Sequence, residues 1–247
     1  MNEIINQYFD LPEMSKHFDQ VLHGFLITLE LSLIAGALAL LWGLILSLLR
    51  QLPGKAFLPV RFVTIAYIDV FRSIPLLMII LLISGSLAFL PLPDAITIPQ
   101  WFGKPDTFWY GVMALTITYG AYMAEVYRAG IEAVPPGQME AARSLGMSHG
   151  QAMRSVIVPQ AVRKVIAPLL NDFIALMKDT TLVGVIALNE VALVGRDIQG
   201  KAFNSSALTL GAIMFLVVTL PLARMVDKLI SREQSRFTRG APRVEAL

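Results

Sequence analysis

The chain has no cysteine and only three histidines in 247 residues. That excludes a disulfide framework, a thiolate nucleophile and a cysteine-based metal site. His17, His23 and His149 are far apart and lack the spacing of zinc ligands. Charge is also scarce. Asp, Glu, Lys and Arg make up 15% of the residues, where about 25% is usual for soluble domains. The net charge of +2 is too small to suggest nucleic acid unless the basic residues cluster. What is abundant is apolar surface, at 55% of residues. These figures exclude a disordered chain, a collagen and a coiled coil, and they weigh against a soluble globular enzyme.

The apolar excess is gathered in blocks. A bilayer core of about 30 Å needs about 20 apolar residues in a helix. Gly24 to Leu49 carries one charge, Glu30, in 26 residues. Ser73 to Pro93 is uncharged for 21 residues, Thr107 to Ala124 for 18 and Ala202 to Ala223 for 22. Val165 to Asn189 is apolar but interrupted by Asp172, Lys178 and Asp179. It reads as a long helix over roughly 163–182 followed by a short re-entrant or surface piece. The pattern predicts an all-α, polytopic membrane protein of about five transmembrane helices in one domain. The spans fall near 24–49, 66–90, 107–128, 163–182 and 203–226. The residues before the first span are polar and acidic, with no basic start and no small-residue cleavage site, so that span reads as a retained anchor.

Lys and Arg gather on one side of such a chain. The stretches 50–61, 128–164 and 224–247 hold fourteen of the twenty, against four in the other connections. Arg72 and Lys178 lie in or near spans. By the positive-inside rule this puts the N-terminus outside and the C-terminus in the cytoplasm.

The longest polar region, about 132–160, then lies in the cytoplasm. Pro135, Pro136 and Gly137 end the third span, Gln138 to Leu145 reads as a short helix, Gly146 stops it, and Ser148 can cap a second helix running to about Val158, before Pro159. Two short helices in a soluble loop suggest either a docking surface or a solvated connector.

Here the chain resembles a known family. Glu140, Ala141 and Ala142, then Gly146 and Pro159 at the right intervals, match the EAA loop of ABC-transporter permease subunits, with Val156 and Val158 at its Ile and Leu positions. The runs 137–147, 159–161, 171–174 and 178–182 look like polar amino acid permeases of the histidine/glutamine type. So does 71–77, except that Ser73 and Ile74 replace a Gly and a Thr. The resemblance covers roughly 20–232 and implies a type I importer fold with cytoplasmic coupling helices. It implies transport of a polar amino acid, with no catalytic residue and no cofactor in this chain. ATP and magnesium belong to two partner ATP-binding subunits, one under each permease, gripping 140–146. A second permease and a periplasmic or tethered amino-acid-binding protein complete the implied complex. On the residues alone, Ala141 and Ala142 would let the short helix lie close in a partner's groove, and Glu140 could cap the helix or meet a basic partner residue.

Ionisable groups inside spans are costly and mark functional hypotheses. Arg72 follows Asp69 by three residues and could pair with it on one helix face. Ser73 and Pro75 follow, and a proline kinks a span and frees a carbonyl. The alternatives are a bend beside the substrate path or an ion pair at the membrane edge. Asp172, with Asn171 before it and Asp179 at i+7, could receive a substrate ammonium, and Lys178 a carboxylate; an interfacial salt bridge is the rival for the latter pair. Glu125, with Tyr122 and Arg128, reads as a structural ion pair, and Glu30 stands without an evident role. Gly195 to Lys201 fits phosphate-loop spacing, but Ala202 stands where the magnesium-binding hydroxyl belongs. A gradient-driven secondary amino acid transporter is the remaining alternative. Inverted repeats would favour it, and the sequence has none.

Overall fold

A computed structural model describes the backbone of residues 2–89 and 103–240, and the side chains of 3–87 and 103–231. The described residues are helical, with no strand among them. A short helix α1 (Asn2–Tyr8) leads to α2 (Leu11–Arg50), which begins at Asp10, whose carboxylate accepts from the Glu13 amide. A turn of 3₁₀ helix (Lys55–Phe57) precedes α3 (Leu58–Ser73), and α4 is Leu76–Phe89. Then come α5 (Asp106–Glu132), α6 (Pro136–Ser144) and α7 (His149–Ala152). A π-helical turn (Met153–Ile157) joins α7 to α8 (Val158–Asp179). A 3₁₀ stretch (Thr180–Ile186), α9 (Val191–Ala202) and α10 (Ser206–Gly240) complete the chain.

Two helical runs are long and apolar enough to cross a membrane as they stand, Glu3–Arg50 and Ser206–Ser231. The expected second span is not one helix. Lys55–Ser73 and Leu76–Leu87 meet at 107° across Ile74 and Pro75. The cause is local: proline drives the residue before it out of the helical region, and Ile74 is extended at φ −88°, ψ 131°. The α5 and α8 helices have 27 and 22 residues, or about 40 and 33 Å at 1.5 Å per residue. The predicted piece after 182 is the 3₁₀ stretch and α9.

The main core forms where α2 and α5 pack along their lengths, closed by α4 and the end of α8. Leu31, Ala35, Ile80, Phe108, Leu115, Met123 and Leu176 are among its buried members. Small residues set the spacing, as in membrane helix pairs generally. A Cβ on Gly43 would lie 2.8 Å from the Gly120 carbonyl oxygen and 2.8 Å from Met123 Cβ. Outward side chains such as Leu41, Phe62, Leu82 and Val217 are exposed, as on a lipid-facing surface. Glu190 is fully buried and caps α9, accepting from the Ala192 and Leu193 amides at 2.8 and 2.7 Å.

Gly195 to Lys201 lies within α9, so the phosphate-loop spacing has no loop to form a cradle. Glu30 is not isolated; it pairs with Lys104 from the segment before α5.

Candidate functional site

The break at Pro75 borders an open cavity of about 370 Å³ between α3, α4, α5 and α8. Arg72 to Leu76 form one wall, Thr118, Tyr119 and Tyr122 of α5 the second, and Asp172, Ala175 and Asp179 of α8 the third. Four of the six residues singled out for a substrate path, Arg72, Ser73, Asp172 and Asp179, therefore meet here. Asn171 and Lys178 do not line this cavity; both are exposed. Asp172 and Asp179 differ by seven positions, so one face of α8 presents both while neighbours one residue away turn outward.

The polar groups of the cavity are ordered unequally. Tyr119 donates its hydroxyl to Asp179 Oδ2 at 2.8 Å. Tyr122 donates to the Arg72 carbonyl at 3.2 Å, and its ring lies 5.7 Å from the Arg72 guanidinium carbon. Ser73 donates to the Asp69 carbonyl at 2.7 Å and so spends its hydroxyl on its own helix. Asp172 Oδ2 is buried with no protein hydrogen-bond partner among the described residues. Thr118 Oγ1, on the α5 wall, is in the same state. An orphaned buried oxygen costs about 1–3 kcal/mol, so the cavity has donor-binding capacity left over.

Arg72 does not pair with Asp69. It reaches across to α5, with Nη1 3.9 Å from Glu125 Oε1. Glu125 already accepts from Arg50 on Oε1 and from Arg128 Nε at 2.8 Å on Oε2. Three arginines from α2, α3 and α5 thus converge on one carboxylate, which matches the structural ion pair expected there and enlarges it. Its two oxygens are occupied by Arg50 and Arg128, leaving Arg72 the loosest of the three and 40% exposed at the cavity wall.

The second site is the loop of α6 and α7. Its local geometry follows the sequence closely. Gly146 has φ +82°, the left-handed conformation that favours glycine. The Met147 amide donates to the Ala142 carbonyl at 3.2 Å and Gly146 to Arg143 at 3.0 Å, the paired bonds of a Schellman stop. Ser148 and Gln151 then form a reciprocal capping box at the start of α7. The second helix does not end before Pro159. It widens into the π-helical turn and continues as α8, with Pro159 directly after the wide turn.

Ala142 is buried against its own chain, so it seats α6 on the molecule and does not face a partner's groove. Glu140, Ala141 and Pro159 are exposed. Glu140 does not cap α6, which starts at Pro135 without a side-chain cap, and it has no partner among the described residues. Leu145 at the end of α6 is 84% exposed, an apolar knob the sequence reading passed over. Gln160 donates to Gln138 of α6 at 3.1 Å and Lys164 to the Ala133 carbonyl at the end of α5 at 2.8 Å, so the start of α8 is tied to α6 and to the end of α5. Among the described residues no group of three or more His, Cys, Asp or Glu could hold a metal ion.

These features, a helical bundle around a polar cavity and a tethered helical loop bearing the 140–159 pattern, agree with the comparisons. Residues 39–234 match the family described as binding-protein-dependent transport system inner membrane component. The chain belongs to that family. It is 35% identical over 235 residues to the "Probable glutamine ABC transporter permease protein" of Bacillus subtilis (strain 168), covering 90% of this chain and 96% of that one. It is 34% identical over 215 residues to a glutamate transport system permease protein of Corynebacterium glutamicum, covering 86% and 93%. The fold matches a crystal structure of an amino acid ABC transporter with histidines at a TM-score of 0.77 and 36% identity, covering 89% of this chain and 96% of that chain. The resemblance read from 137–182 therefore stands, and so does the all-α membrane fold.

Proposed function

We propose that this permease subunit belongs to an ATP-driven importer that carries a polar amino acid into the cytoplasm by alternating access. The observation that carries the reading is the cavity at the Pro75 break, where a guanidinium and an orphaned carboxylate oxygen line one space. An amino acid offers the complement: its ammonium to Asp172 and its carboxylate to Arg72. Asp179, held by Tyr119, stands on the same face of α8 as Asp172. Charge-assisted hydrogen bonds at both ends would select a zwitterion over an amine or an acid alone.

ATP chemistry belongs to partners in this reading. Of two ATP-binding subunits, one sits under each permease and grips its α6–α7 loop, with Glu140, Ala141 and Leu145 as the exposed contacts and Gly146 fixing the turn. A second permease, identical or related, closes the path, and a periplasmic or tethered binding protein delivers the substrate. The N-terminus lies outside and the C-terminus inside, as the Lys and Arg distribution supports. Closure of the ATPase dimer moves α6, and α8 follows because Gln160 bonds Gln138 of α6 and Met139 of α6 packs on the cluster of Ile157 and Ala161. The cavity wall on α8 then moves with it, a two-state element biased from a distance.

The test is purification from native membrane in mild detergent, with mass spectrometry of the complex. A stoichiometric ATPase with a true phosphate loop, lost on Glu140→Arg, supports the reading. A chain that purifies alone and moves amino acids without ATP overturns it in favour of gradient-driven transport.

A further inference from the structure

The first ten residues form a feature that neither the cavity nor the coupling loop uses. Helix α1 is fastened to the turn between α9 and α10. Ser205 N donates to the Gln7 carbonyl at 2.8 Å, Asn204 Nδ2 to the Asn6 carbonyl at 2.9 Å, Gln7 Nε2 to the Phe203 carbonyl at 3.2 Å, and Asp10 N to Ser206 Oγ at 2.9 Å. The polar edge of α1 is thus spent on the protein. Its other edge is apolar and uncovered: Ile4, Ile5, Tyr8 and Phe9 are all exposed, and Phe203 beside them is 84% exposed. Ile4, Ile5 and Tyr8 fall on one side of the helix by the 3.6-residue period.

Phe203 makes the arrangement costly in water. It has φ +53°, ψ +30°, a conformation rare for a bulky side chain, and it holds an aromatic ring away from the core. Water gives no return for that strain. A bilayer boundary does, and the level is fixed by the chain itself. The turn that anchors α1 immediately precedes Ser206, the start of an apolar helix long enough to cross a membrane. That level is the end of the bundle opposite α6, since α2 runs from α1 to Arg50, which meets Glu125 one and a half to two turns before the end of α5. The exposed face also carries no Lys or Arg and mixes aromatic with branched apolar side chains, the composition that settles at a headgroup boundary.

We infer that α1 is an interfacial anchor: Ile4, Ile5, Tyr8, Phe9 and Phe203 lie at the headgroup–acyl boundary of the leaflet opposite the coupling loop. The hydrogen bonds from α1 to the Phe203–Ser206 turn then hold the first and last long helices at one depth. The inference rests on the membrane fold and is independent of which solute is carried.

The absence of cysteine makes the test clean. Single cysteines at positions 4, 5, 8, 9 and 203, with positions 3 and 6 as polar-side controls, are spin-labelled in the assembled transporter. The complex is placed in nanodiscs of phosphatidylethanolamine and phosphatidylglycerol. Collision with oxygen and with a water-soluble nickel chelate is then compared. The expected result is a shift toward oxygen at 4, 5, 8, 9 and 203, at a common depth near the phosphates, with 3 and 6 shifted toward nickel. Equal nickel access at every position would place α1 in water and overturn the inference. Exclusion of both reagents from the apolar face would also overturn it, because protein would then cover that face. Labelled variants that retain uptake establish that the fold was kept.

Discussion

Tyr119 and Asp179 join the middle of α5 to the last turn of α8 by a 2.8 Å hydrogen bond at the edge of the central cavity. Tyr119 is itself a core residue, so the carboxylate is positioned from the rigid side of the bundle. Tyr119→Phe removes one donor to a charged group, a loss of roughly 1.5–3 kcal/mol. Asp179→Asn is expected to act through the same bond. The double variant should therefore cost less than the sum of the two singles in thermal unfolding of the purified complex, and simple additivity would show that the pair does not act as a unit.

Asp172 is expected to contribute most directly to substrate retention. Asp172→Asn keeps the volume and withdraws the charge, so uptake should fall at least about tenfold, the worth of roughly 1.4 kcal/mol. Assembly with the ATPase should be unchanged, since Asp172 lines the cavity, where no residue of α6 or α7 reaches. Uptake by reconstituted vesicles, alongside recovery of the complex, measures both. Equal uptake by the Asn variant would remove Asp172 from the path.

Glu125 is a different case. Its side chain is 15% exposed and serves Arg50 and Arg128 fully. Glu125→Gln leaves Arg50 without its counter-charge and Arg128 with Glu132 alone, and breaking such a pair costs on the order of 3 kcal/mol. A clear fall in melting temperature is expected. Retention of wild-type stability would mean that solvent screens the cluster and that α2 and α5 are held by packing alone.

Packing has its own test at the α2–α5 crossing. Gly43→Ala places a methyl against backbone and Met123, and overpacking of this kind costs about 1–3 kcal/mol. Gly85→Ala in α4 meets nothing within 4 Å and should be neutral or stabilising by up to about 1 kcal/mol. The contrast in melting temperature separates close helix approach from a general intolerance of alanine.

The coupling loop was the most legible part of the chain. Gly146 and Ser148 act through bonds to residues within a few positions, so a linear pattern contains their geometry. Pro159 was misjudged because proline both ends and starts helices, and only the helix after it decides which. The partners of Arg72, Glu30 and Glu125 lie 53, 74 and 75 positions away in sequence, and helical periodicity carries no information across that distance. Tyr119 was missed, and Tyr122 was read only as a neighbour of Glu125, for a related reason. In an uncharged run an aromatic residue counts as apolar filling, and its hydroxyl matters only once another helix supplies a carboxylate or a carbonyl. The same limit hid the 107° break, since Pro75 announces a kink but not its angle.

The α6 surface gives the sharpest separation of docking from folding. Leu145→Asp alters an exposed apolar knob that touches little of its own chain, so stability should hold within about 0.5 kcal/mol. Recovery of the ATPase with the permease should fall. Ala142→Asp, by contrast, should unfold the loop, because that methyl is buried. Equal effects of the two would show that Leu145 supports the fold and does not serve as a contact.

The most direct test of the account is amino acid uptake by the complete complex in sealed vesicles, with ATP on the coupling-loop side and ion gradients collapsed. The account predicts uptake that requires hydrolysable ATP and is abolished by Leu145→Asp. Uptake that persists without ATP and follows a proton or sodium gradient would contradict it.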